Sequence, residues 1–162
     1  MVLLGVVGGL VRVVRQYPGL HVKELERVLN TRRVSRVLRG LERRGLVRGL
    51  WLVRVVGCPA RARPVRAVFP GDTVDPGLDF LSTWIRTHDC VVGVDVVGEH
   101  GFLVVTLHGW FSRDVVRDLV YSLRVFGFRV LYPRGLYRRG WTEYVVIRVP
   151  VEVGDVWSGR RP

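Results

Sequence analysis

Thr31–Arg48 reads TRRVSRVLRGLERRGLVR, and its spacing carries two messages. At about 100° per residue, Val34, Val37, Leu38 and Leu41 fall within an arc of about 100°, the apolar stripe of a helix packed on a core. Arg32, Ser35, Arg36, Arg39 and Arg43 gather on the opposite face, with Arg33 and Arg44 near its ends. Thr31 is placed to cap the start of this helix. Gly45 is placed to stop it. The expectation is a helix over Arg32–Arg44 with one buried face and one strongly basic face.

Working outward, His21–Leu29 (HVKELERVL) is a short amphipathic helix: Val22, Leu25, Val28 and Leu29 share one side while Lys23, Glu24 and Arg27 face away. Residues 2–16 suit a first helix weakened by Gly5, Gly8 and Gly9, and Tyr17-Pro18-Gly19 is a turn. Downstream, Leu46–Val56 and Pro64–Phe69 read as strands joined by Gly57–Arg63, which would place Arg61 and Arg63 at the tip. Helix, short helix, turn, basic helix, glycine and hairpin is the order of a winged helix-turn-helix.

The same stretch resembles recognition-helix segments of the MarR, ArsR and Lrp/AsnC groups of prokaryotic regulators, over about residues 20–69. The resemblance implies duplex DNA as partner, with Ser35 and Arg36 reaching into the major groove and Arg61 and Arg63 on the wing. The helix departs from those groups in being far more basic. An α-helix fits the major groove and Arg bonds guanine O6 and N7 bidentately, so Arg32 and Arg36 are the expected base contacts. Arg33, Arg39, Arg43 and Arg44 on the helix, with Arg61 and Arg63 beyond it, would hold phosphates and fix register.

Charge distribution supports this. Residues 1–70 hold fifteen Lys/Arg against Glu24, Glu26 and Glu42, so the whole formal charge of +12 resides there and residues 71–162 are neutral. A field that concentrated suits a polyanion bound by one domain. The single Lys among 26 basic residues gives an archaeal or thermophile-like composition. Cys58 and Cys90 form neither metal spacing nor a disulfide framework, which fits a cytoplasmic protein. The apolar opening MVLLGVVGGLV reaches Arg12 well short of the roughly 20 residues a spanning helix needs, so it reads as a buried first helix and no membrane partner is expected.

Residues 70–79 (PGDTVDPGLD) form a turn-rich acidic joint. Beyond it lie a helix from Phe80 to His88 capped by Asp79, strands Cys90–Val97 and Phe102–Leu107, and a helix from Ser112 to Phe126 ended by Gly127. Strands Phe128–Tyr132 and Thr142–Val149 follow. The division is a winged helix-turn-helix over residues 1–70, an α+β domain over 71–150 and a tail over 151–162. The second domain, α-β-β-α-β-β, makes economical sense as two helices on an antiparallel sheet, akin to ferredoxin-like folds. Residues 112–149 also echo 31–69, with Val115, Arg117, Leu119 and Gly127 matching Val34, Arg36, Leu38 and Gly45. A second winged helix is therefore an open alternative.

Catalytic constellations are weak. Asp95, Glu99 and His100 could supply ligands for a divalent ion in a nuclease, but such a site usually needs a further acid or a Lys nearby, and this domain contains no Lys. Cys90 with His88 or His108 lacks a nucleophile spacing. Tyr132, Tyr137, Trp141 and Tyr144, interleaved with Arg134, Arg138 and Arg139, could stack single-stranded bases or simply pack on the sheet. The reading is a non-enzymatic, homodimeric, double-stranded DNA-binding regulator without metal or cofactor, its effector unspecified. The alternatives are a sequence-indifferent nucleic-acid factor and a metal-dependent nuclease.

Overall fold

A computed structural model describes residues 2–88, 91–97, 102–108, 113–131 and 141–148. The chain is α+β. Its helices are α1 (Val2–Gln16), α2 (Val22–Leu29), α3 (Val34–Arg43), α4 (Pro76–Thr87) and α5 (Arg113–Arg124). Its strands are β1 (Val47–Val56), β2 (Arg61–Pro70), β3 (Val91–Val97), β4 (Phe102–His108), β5 (Phe128–Leu131) and β6 (Trp141–Arg148). Two compact units divide them: one gathers Met1–Leu52 and Pro64–Thr83, the other Val53–Arg63 and Trp84–Glu152.

In the first unit α1, α2 and α3 pack on one another around Leu10, Val14, Leu20, Leu25, Val34, Val37, Leu38 and Leu41, with Val47 and Val68 added by the hairpin strands. All four stripe residues of α3 are buried, as their spacing requires. The link between α1 and α2 runs beside β2: Gly19 N–H donates to Val68 O at 2.8 Å and Val68 N–H to Leu20 O at 2.9 Å. Glycine is needed at 19, where φ is +95° and a Cβ would lie 2.9 Å from the Phe80 ring.

Helix α3 begins two residues later than its sequence pattern suggests. Asn30 takes the left-handed conformation (φ 50°), and Thr31 N–H donates to Glu26 O at 3.1 Å, so Thr31 completes the end of α2. Its hydroxyl accepts from Arg33 N–H at 3.2 Å, and Arg33 occupies the N-cap position without a side-chain cap. Arg32 and Arg33 therefore precede the helix instead of riding on it. The other end is as expected. Gly45 (φ 72°) donates to Glu42 O at 3.0 Å and Leu46 N–H to Leu41 O at 3.0 Å, the paired bonds of a Schellman ending.

The hairpin turn is shorter than expected. Reversal is complete within residues 57–60, with Gly57 at φ +93°, and β2 starts at Arg61. Arg61 and Arg63 are thus strand residues, not tip residues. Helix α4 starts four residues before Phe80: Asp75 Oδ1 accepts from Leu78 N–H at 3.2 Å and Pro76 takes the first helical position. Asp79 lies inside the first turn and does not cap.

In the second unit the strand order is β3-β4-β6-β5, with every neighbouring pair antiparallel. β6 pairs with β4 through Phe102↔Ile147 to His108↔Trp141 and with β5 through Phe128↔Arg148 to Leu131↔Val145. The β5–β6 hairpin is therefore half of a four-stranded sheet and not a free second wing. Moving β6 ahead of α4 would yield a β-α-β-β-α-β chain with the ferredoxin-like strand neighbours. Helix α5 packs on β5. It buries Val116, Leu119 and Leu123, and with them Asp118 and Ser122, two polar residues the apolar pattern does not mark.

Candidate nucleic-acid interface

Because the α3 stripe is buried, its other residues face outward: Ser35, Arg36, Arg39, Gly40 and Arg43 are exposed, as are Arg32, Arg33 and Arg44 at its ends. On the helix proper Ser35, Arg36, Arg39 and Arg43 fall within about 100° of one another, since residues three and four apart are neighbours. Among the described residues none of Arg32, Arg33, Arg36, Arg39, Arg43 and Arg44 is engaged in an ion pair. Such a cluster of like charges repels itself.

Other basic residues of the same stretch are committed internally. Arg66 Nη2 donates to Glu42 Oε1 at 2.8 Å, and its guanidinium lies 5.8 Å from the Trp51 ring centroid. Arg15 pairs with Asp72 at 3.5 Å and Lys23 with Glu26 at 3.9 Å, both at the surface. Arg54, in the second unit, is buried against Asp118. Uniform charge in the sequence thus resolves into arginines that hold the fold and arginines that face solvent. Arg54 and Arg66 carry no distinguishing local pattern; the lone acid Glu42 on a basic helix is the one available hint of the second pairing.

Two grooves flank α3. One is lined by Lys23, Glu26, Arg27, Asn30, Thr31 and Arg32, at the junction of α2 and α3. The other is lined by Val22, Ser35, Leu38, Arg39, Glu42 and Arg66. Ser35 and Arg39 therefore share a concave surface with an acid and a second arginine. Arg36 and Arg43 line neither groove and stand on the convex face. Arg61 and Arg63 are exposed on β2 and, two residues apart, project to one side of that strand. They belong to the second unit.

Glu99, His100, Cys90, Ser112, Tyr132, residues 133–140 and the tail 151–162 lie outside the described residues. Asp95 sits on β3 opposite Val104. His88 stacks on Trp84 with ring centroids 4.0 Å apart, and its Nδ1 lies 2.7 Å from the Trp84 carbonyl oxygen, a local arrangement at the end of α4. Among the described residues no group of three His, Cys, Asp or Glu side chains could hold a metal ion. No described helix is long and apolar enough to cross a membrane.

No protein-family model matches the chain. No solved structure matches it. Among curated proteins, a 60-residue stretch is 35% identical to the valine–tRNA ligase of Thermus thermophilus, and equally to the same ligase from two individual strains of that species. The match covers 37% of this chain, which spans 7% of the length of those ligases.

Proposed function

We propose that this protein is a non-enzymatic regulator that binds duplex DNA, its first unit acting as a winged helix-turn-helix with α3 in the major groove. The observation that carries this reading is the solvent-facing arginine cluster on and before α3, none of it engaged in an ion pair among the described residues, backed by a buried apolar stripe. In this reading Arg36, with Arg32 just ahead of the helix, contacts base edges, while Arg33, Arg39, Arg43 and Arg44 hold phosphates. The second unit serves dimerisation or sensing, and a dimer would set half-sites about 34–36 Å apart.

The test is selection from a randomised duplex library at near-physiological salt, comparing wild type with Arg36→Ala. An enriched motif that relaxes in the variant supports a sequence-reading regulator. Tight binding without enrichment, weakened equally on all sequences by the variant, moves the protein to a sequence-indifferent nucleic-acid factor. The partial likeness to a tRNA ligase favours one added arm, a folded RNA as competitor. Displacement of duplex by RNA at lower concentration than by random DNA would replace the DNA reading.

A further inference from the structure

The groove beside α3 contains a feature that a phosphate-gripping surface would avoid. Glu42 stands on the helix one turn from Arg39 and two from Ser35, and all three line the same concavity with Arg66. A carboxylate there repels phosphate, yet it is held in place. Arg66 Nη2 bonds its Oε1 at 2.8 Å, with Glu42 29% and Arg66 39% exposed at the side chain. Among the described residues Arg66 is the only side chain bonded to Glu42. The guanidinium is in turn steadied over Trp51. Position 49 is glycine, and a Cβ there would lie 2.8 Å from Arg66 Cζ and closer still to the Glu42 carboxylate, so the strand makes room for this pair.

The groove thus offers a fixed acceptor beside the donors of Arg39 and Ser35. Base edges in the major groove present donors and acceptors together, in an order that differs between pairs. Cytosine N4 is a donor, and guanine O6 and N7 are acceptors on the same edge. Adenine and thymine present a different order, and phosphates present acceptors alone. We propose that this groove reads a single G·C base pair of the bound duplex, Glu42 accepting from cytosine N4 and Arg39 donating to guanine. Arg66 is the positioning residue that aims Glu42. The inference rests on the duplex-binding reading above and goes further, since it makes Glu42 a determinant of specificity and moves Arg39 from phosphate to base.

The experiment selects duplexes with wild type, then measures affinity for the selected site and its single-pair substitutions with wild type, Glu42→Gln and Arg66→Lys. Glu42→Gln keeps shape while losing the charge; Arg66→Lys keeps charge but loses the planar fork that holds the carboxylate. Thermal melting of each full-length variant checks that it is folded. The expected result is loss of discrimination at one G·C position by about 5- to 150-fold in Glu42→Gln. Binding to random duplex should be unchanged or tighter, because a repulsive charge has gone. Arg66→Lys should lose discrimination at that same position in part.

A folded Glu42→Gln that keeps every positional preference, or changes affinity equally for all sequences, overturns the inference while duplex binding stands. Wild type that binds duplex with no G·C requirement at any position does the same. Wild type that binds no duplex overturns the underlying reading and this inference together.

Discussion

Arg54 and Asp118, 64 residues apart in sequence, form a two-pronged ion pair: Nε donates to Oδ1 at 2.9 Å and Nη2 to Oδ2 at 3.1 Å. Both are buried, at 8% and 5% exposure. Asp118 also accepts from Val55 N–H at 3.0 Å, from Trp84 Nε1 at 3.0 Å and from Ser122 Oγ at 3.3 Å. One carboxylate on α5 therefore ties together the distal hairpin, the end of α4 and its own helix. A buried charge so fully satisfied is tolerated, but stripping it of its partner is costly.

We expect Asp118→Ala to destabilise the second unit by about 3–5 kcal/mol, since the buried Arg54 guanidinium would lose the carboxylate that both its prongs bond. Urea unfolding of the full chain, followed by Trp fluorescence, measures this. Arg54→Ala should cost a similar amount, and the double variant less than the two losses added. A loss below about 1 kcal/mol for either single change would show that water reaches the pair.

Much of the first unit is legible because its signals are local. The 3.6-residue repeat of Val34, Val37, Leu38 and Leu41, and the glycine at 45, each act within a few turns of helix. What the sequence hides is of two kinds. Asp75-Pro76 is a regular helix start, but lying in a run of turn-forming residues it reads as loop, and the capping role falls by default to Asp79. Arg54–Asp118 and Arg66–Glu42 are tertiary: no periodicity tells a structural arginine from one awaiting an anion, because the distinction depends on which distant carboxylate arrives.

Gly71 is fixed by close approach. A Cβ on residue 71 would lie 2.8 Å from the Gly45 carbonyl carbon and 3.1 Å from that of Leu46, and Gly71 N–H donates to Leu46 O at 3.0 Å. Backbone on both sides cannot swing away as a side chain would. Gly71→Ala should cost about 1–3 kcal/mol as the chain after β2 is pushed off the end of α3. Thermal melting against wild type checks it. An unchanged melting temperature would mean the segment shifts at no cost.

Asp79 contributes a pH dependence to stability. Burial above all, and then the negative charges of Asp75 and Asp72, hold its carboxyl above the ordinary 3.8. Its place in the first turn of α4 works the other way and is outweighed. The folded chain therefore binds this proton more tightly than the unfolded chain. The contribution to stability is greatest below pH 3.8 and is lost as pH rises through the raised folded value. Asp79→Asn should raise the melting temperature at pH 7 and give no gain below pH 3.8. An equal gain at both pH values would refute ionisation as the cause.

Arg43 tests the phosphate half of the proposed interface. It stands on the exposed face in the last turn of α3, without an ion-pair partner among the described residues, and lines neither groove. A contact of this kind releases one counterion, so affinity for duplex falls with salt at about 0.9 log units per log salt for each phosphate held. Arg43→Ala should weaken binding to selected and random duplexes alike and reduce that slope by about 0.9. Glu42→Gln should leave the slope near wild type while changing one base preference, so the two variants separate gripping from reading on a single helix. Anisotropy titrations across roughly 50–200 mM salt give the slopes. A slope unchanged by Arg43→Ala would place the phosphate path elsewhere on the first unit, along the groove of Lys23, Arg27 and Arg32.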